Sequence, residues 1–116
     1  MRNITHYFAN KLLLDAIVSQ PCYVGLLADL ETEVDKPSYS RQPVSFYPPT
    51  NSQTANDGLI QFPVAVEAWG RIAYVGVYDA MEDGNLLTVA EPPIVHDVQP
   101  SGDYQIRPNT LVLRFE

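Results

Sequence analysis

Cysteine is nearly absent: Cys22 is the only one among 116 residues, so no disulfide can form within the chain and no thiol-based metal set can be assembled. Only two histidines are present, His6 and His96, far apart and in no ligand spacing. Basic residues are scarce too. Seven Lys and Arg face fourteen Asp and Glu, for a formal charge of -7, and such a field repels phosphate backbones and anionic lipid, which argues against nucleic-acid and membrane partners. No apolar run approaches the roughly 20 residues that span a bilayer. The first one, residues 11–15, is bounded by Lys11 and Asp15 and does not read as a secretion signal, which predicts synthesis in a reducing cytosol. The Asn3-Ile4-Thr5 sequon is then a chance match. Also missing are a Gly-x-Ser-x-Gly elbow, a phosphate loop and a dinucleotide fingerprint. With no visible nucleophile and no metal spacing, the expectation is a protein that is not an enzyme and uses no cofactor.

What the sequence does have is apolar content and turn residues. Hydrophobic residues make up 46% of the chain and prolines number ten, enough to build one core in a single domain over residues 1–116. Residues 69–87 are the most informative stretch. Ile72, Tyr74, Gly76 and Tyr78 fall on one face at period two and Ala73, Val75 and Val77 on the other, so the strand over residues 71–79 has no face made for water. Such a strand belongs in the middle of a covered sheet. The turn Glu82-Asp83-Gly84-Asn85 makes residues 86–90 its hairpin partner.

Helical periodicity occurs only at the start. Ile4, Phe8 and Leu12, widened by Leu13 and Ile17, predict a helix over about residues 4–18, capped by Asn3 or Thr5 and ended by Pro21. The apolar run 22–27 then reads as a buried strand, in which Cys22 acts as a small hydrophobe. Further short strands are expected at residues 44–47, 59–63, 104–107 and 111–115, the last with Leu111, Leu113 and Phe115 inward, while 51–58 reads as a polar turn and 92–102 as turn-rich. Many short strands punctuated by Pro and Gly predict a mainly β domain: an antiparallel β-sandwich or barrel-like fold with one N-terminal helix. Trp69, Val75, Val77, Leu87, Leu111 and Leu113 are expected in or beside its core.

Three groups of residues raise functional questions. Asp29, Glu31, Glu33 and Asp35 alternate along residues 28–38; calcium would need carboxylates converging on a point, whereas alternation sets them in a row, so a solvated edge is the preferred reading. Seven tyrosines and Trp69 could stack on sugars, but Tyr74 and Tyr78 share a strand face, a spacing typical of core or interface. Tyr39-Ser40-Arg41-Gln42 stands apart because Arg41 brings a planar five-donor fork to a proline-bounded segment. It is suited to docking on acceptors that fix residues 39–43, inside the fold or across an interface, with a solvated loop arginine as the alternative.

The order of motifs resembles a family of small tailed-bacteriophage virion proteins, described as tail-fibre or head-decoration proteins. The resemblance is carried by Lys11-Leu12-Leu13-Leu14-Asp15, Tyr23-Val24-Gly25-Leu26-Leu27, Tyr39-Ser40-Arg41-Gln42, Phe46, Ile60-Gln61-Phe62-Pro63, Trp69-Gly70, Gly76-Val77-Tyr78-Asp79-Ala80 and Gly84-Asn85-Leu86-Leu87. It departs at residues 107–110, where such proteins tend to place a glycine. The resemblance implies a non-enzymatic building block of the virion, assembled in the host bacterial cytoplasm. Within it, an acidic small β-domain is expected to act as a capsid decoration, or cement, protein bound to the major capsid protein and to copies of itself. A tail, neck or fibre component is the alternative, and a carbohydrate-binding attachment module a third. Phe8 and Leu12 on the helix, the acidic row Asp29, Glu31, Glu33 and Asp35, and Tyr39 with Arg41 are the expected interface residues.

Overall fold

Thr5 sets the first element. In the computed structural model, which describes residues 5–92 and 95–114, its backbone is extended and its hydroxyl accepts from the Phe8 N–H at 3.2 Å, capping the helix α1 (His6–Leu13). The helix widens into a π-helical turn over Leu14–Val18, closed by a 2.8 Å bond from the Ser19 N–H to the Leu14 carbonyl. The buried row is Ala9, Leu13 and Ile17. This corrects the expected stripe: Phe8 is 48% exposed, Leu12 is half-buried, and Ile4 lies outside the described residues. The reason is polar. Asn10 Oδ1 accepts from the Ser52 N–H at 2.9 Å and His6 Nδ1 lies 2.6 Å from Ser52 Oγ, so the face of Asn10, Leu13 and Ile17 turns inward, with His6 at its exposed end, and Phe8 is rotated outward.

Ten strands follow among the described residues: β1 (Cys22–Leu27), β2 (Gln42–Val44), β3 (Gln53–Ala55), β4 (Ile60–Gln61), β5 (Gly70–Ile72), β6 (Tyr74–Tyr78), β7 (Leu86–Ala90), β8 (His96–Val98), β9 (Gln105–Ile106) and β10 (Val112–Arg114). All pairings are antiparallel. One sheet has the order β2-β1-β6-β7, and three ribbons pair β10 with β3, β4 with β9 and β5 with β8. The architecture is mainly β and sandwich-like, with one N-terminal helix and, among the described residues, no closed barrel. The body measures 45 × 25 × 25 Å.

β1 and β6 are the centre, with Val24, Leu26, Val75 and Val77 fully buried. The expected hairpin of β6 and β7 is present, with an irregularity that pairs Val77 with Thr88 and Tyr78 with Leu86, leaving Leu87 as a bulge. Trp69, Leu111 and Leu113 are buried as well. Leu87 is not; at 42% exposed it lies outside the core, because β7 is an edge strand and the bulge turns it to solvent.

Other expectations need revision. The strand over residues 71–79 is two strands: at Ala73, whose N–H bonds the Leu27 carbonyl at 2.9 Å, the chain leaves the β8 ribbon for the main sheet. Residues 51–58 are more than a turn, since Asn51 and Ser52, both at positive φ, turn the chain tightly from Thr50 into β3. β8 had no alternating signal because His96 and Asp97 are both exposed and Val98 alone is buried. Of the segments expected at 44–47 and 111–115, the strands are Gln42–Val44 and Val112–Arg114; Phe115 lies outside the described residues.

Candidate functional site

The residues brought together most tightly are Glu33, Tyr39, Arg41 and Tyr78. After β1 the chain folds back on itself: the Ala28 N–H bonds the Thr32 carbonyl, the Val34 N–H bonds the Leu26 carbonyl at 3.0 Å, and Glu33 bridges to Leu27. That return lays Glu33 against the sheet. Arg41, one residue before β2, meets it with a two-pronged contact, Nε to Oε2 and Nη2 to Oε1, both 2.9 Å. Its Nη1 donates to the carbonyls of Ala80 at 2.9 Å and Asp83 at 2.7 Å, in the β6–β7 turn. The guanidinium carbon stands 3.6 Å above the centre of the Tyr78 ring, a cation–π contact in a site where Arg41 is only 9% exposed.

Tyr39 completes the cluster. Its hydroxyl donates to Glu33 Oε2 at 2.5 Å and accepts from the Leu26 N–H at 2.9 Å. Burial, with the Glu33 carboxylate beside it, pushes this phenol far above the usual tyrosine range, while Glu33 holds the Arg41 guanidinium more firmly charged. The Tyr39 ring meets Trp69 edge-on at 5.5 Å and stacks on Phe62 at 6.2 Å. Alongside, Ser38 Oγ donates to Glu67 Oε1 and accepts from Trp69 Nε1 at 3.0 Å. The cluster thus ties three loops to the core through an aromatic row. Its outer rim opens on a cleft of about 480 Å³ that also touches Asp35, Lys36 and Glu82.

Chemically, this is a structural clamp. Four of the five guanidinium N–H groups are engaged, and the Tyr39 phenol is far from ionising at neutral pH. Cys22, whose thiol donates to the Ile17 carbonyl, is raised by burial and stays protonated.

The sequence-derived residues sort accordingly. Tyr39 and Arg41 come together inside the fold. The acidic row is split, which corrects its reading as one solvated edge: Asp29, Glu31 and Asp35 are exposed, whereas the Glu33 side chain is 23% exposed and committed to Arg41. Asp29 accepts from the Glu31 N–H at 2.8 Å, which holds its carboxyl below the usual range. Among the described residues no three His, Cys, Asp or Glu side chains are grouped to hold a metal ion. Trp69, Tyr78 and Tyr104, from the set considered for sugar stacking, are buried. Phe8 and Leu12 lie on the helix, away from the clamp's residues.

A second polar node had no expectation attached to it. Asn56 is fully buried; its Nδ2 donates to the carbonyls of Gly58 at 2.8 Å and Arg107 at 3.0 Å, its Oδ1 accepts from the Leu111 N–H at 2.9 Å, and its own carbonyl accepts from the Asn109 N–H at 2.9 Å. Its only signal in the sequence is Asn-Asp-Gly, which announces a turn and not a buried amide.

With this geometry in place, comparison with known families is informative. A family model described as podophage GP4 fiber I protein gp80 matches residues 3–114. Comparison with curated proteins gives no match.

Proposed function

Because the chain belongs to the podophage GP4 fiber I protein gp80 family, whose model spans residues 3–114, we propose that it is a non-enzymatic component of a podophage tail fibre. The family is one of tailed-phage virion structural proteins, which supports the phage particle as the place where the chain acts. The description of the family favours a fibre over the capsid decoration that charge and size first suggested. That match, over nearly the whole chain, is the observation that carries the reading. The clamp is in keeping with it: a mainly β body whose loops are tied down by Arg41 and Asn56 is suited to holding a fixed shape.

Copy number tests it. Fibre parts are limited by the symmetry of one tail, whereas decoration fills equivalent sites over a whole shell. Denaturing-gel densitometry of purified particles, with tails and heads separated, is expected to give a few copies per particle, in the tail fraction. A molar amount near that of the major capsid protein, in the head fraction, would overturn the fibre reading in favour of decoration.

A further inference from the structure

One hollow of this acidic molecule holds no charge. Charged residues make up 18% of the chain, yet the open cleft of about 450 Å³ beside the turn from Tyr47 to Gln53 is lined by uncharged residues alone, among them Tyr47, Thr50, Gln53, Asn109 and Val112. Trp69, Tyr78 and Tyr104 are buried, whereas Tyr47 stands 42% exposed. Thr50, Gln53 and Asn109 are exposed around it, and among the described residues neither the Tyr47 hydroxyl nor the side chains of these three form a hydrogen bond. The backbone beneath them is fixed. Thr50 and Gln53 exchange bonds of 2.9 and 3.0 Å across the turn at Asn51 and Ser52, the Tyr47 N–H bonds the Ala55 carbonyl at 2.9 Å, and Asn109, at a φ of 68°, is held by its N–H on the Asn56 carbonyl.

Each property narrows the ligand. Without an opposite charge in the hollow, an ionised group entering it would give up water and gain no partner. An extended peptide finds no open ladder, because β3 is used on both edges, by β10 on one and by Tyr47 and Thr50 on the other. What the hollow offers is a ring face and neutral groups that donate and accept at once: the hydroxyls of Tyr47 and Thr50 and the planar amides of Gln53 and Asn109. Adjacent hydroxyls on a rigid ring donate and accept in the same way, and the C–H face of such a ring packs on the electron-rich face of a tyrosine. We propose that this hollow binds an uncharged pyranose sugar, with Tyr47 as the platform and Gln53 and Asn109 bonding to its hydroxyl groups. The fixed backbone confines the ordering cost of binding to side-chain rotamers. The proposal is independent of where in the particle the chain sits, which copy number tests separately.

Mapping of amide chemical shifts on the full chain tests this, with the methyl glycosides of glucose, galactose and mannose, with N-acetylglucosamine, and with sialic acid as the charged counterpart, each at tens of millimolar. At least one neutral sugar is expected to move the amides of Thr50, Gln53, Thr54 and Asn109, and sialic acid none of them. Tyr47→Ala and, separately, Gln53→Ala should each weaken binding about tenfold, with melting temperatures like that of the wild type because both side chains are exposed. No response to any neutral sugar, an equal response to sialic acid, a response centred on the exposed Tyr7 of the helix, undiminished binding by either variant, or movement of the same amides by a blocked alanine tetrapeptide and by no sugar would overturn the proposal.

Discussion

Gly25 and Gly76 lie directly opposite each other on β1 and β6, and both abut the same edge of the Tyr78 ring. A methyl group at Gly25 would stand 2.8 Å from Tyr78 Cε1, 2.6 Å from Glu33 Oε2 and 2.9 Å from the Tyr39 hydroxyl. At Gly76 it would stand 3.2 Å from Tyr78 Cε1 and 2.8 Å from Leu86 Cδ1. The paired glycines make the floor on which the clamp rests.

The two positions should therefore respond differently to alanine. At Gly25 the obstructing atoms are held by hydrogen bonds and cannot yield, so Gly25→Ala is expected to cost about 1–3 kcal/mol, as overpacking does. At Gly76 the nearest atom is the tip of a half-exposed leucine. Gly76→Ala should cost less than about 1 kcal/mol, offset in part by the reduced entropy of the unfolded chain. Urea midpoints at unchanged slope would measure both, and equal losses would show that the clamp does not depend on Gly25.

Arg41→Lys keeps the charge and loses the fork. It should cost about 2 kcal/mol, in line with the loss of hydrogen bonds to charged groups. Arg41→Met should cost more, since Glu33 would keep its charge in a mostly buried site. A double-mutant cycle with Glu33→Gln is expected to show coupling between the pair; additive effects would mean that the two side chains act separately.

The helix offers a comparison between one buried leucine and one exposed ring. Leu13→Ala should cost about 2–4 kcal/mol because it empties a buried site, whereas Phe8→Ala should lie within about 0.5 kcal/mol of wild type. Thermal melting of the two variants separates them. A larger loss at Phe8 would restore the stripe that periodicity alone suggests.

Stability should fall at both ends of the pH scale. Tyr104 is pushed up to about 12 by burial from an ordinary value of 10.0, and Tyr39 is raised further. A group whose folded value is raised contributes stability that is full below its unfolded value and is lost as pH climbs towards the folded one, so the decline begins near pH 10.0. At the acid end, Asp79 lies below its ordinary 3.8 because it accepts from the Asn85 N–H and side chain. That contribution is present above 3.8 and disappears as pH falls through the lowered value. Tyrosinate absorbance against pH should show three late-titrating phenols, since burial raises Tyr78 as well, that ionise together with unfolding; their ionisation at the ordinary value in folded protein would contradict the burial described above.

How far the sequence revealed this arrangement depended on the kind of residue. Strands β1 and β6 were legible because they are apolar on both faces, and the β6–β7 hairpin because Gly84 announces its turn. Arg41 stood out as a docking residue because its fork needs planar acceptors. Glu33 did not. It sits in a row of alternating carboxylates that looks uniform, and only the fold-back after β1, which bridges Leu27 to Glu33, singles it out, a tight return with no hydrophobic periodicity to mark it. The helix was located correctly yet rotated, because its seating is decided by His6 and Asn10, polar residues that a hydrophobic stripe ignores. Strands as short as β3 and β8 carry too few residues for period two to register, and Leu87 was assigned inward because a bulge resets alternation without leaving a mark in composition.

Asn56 has a mechanical consequence. β10 is the last described strand, held to β3 over only three residue pairs, and a pull on the chain from that end would peel it residue by residue. The next links upstream are Leu111, Asn109 and Arg107, all fastened to Asn56. Peeling that began at Arg114 would therefore stall at a single buried amide whose bonds must break nearly together. The amide acts as a rivet: β10 can fray and reseat under load while the rest of the body keeps its shape.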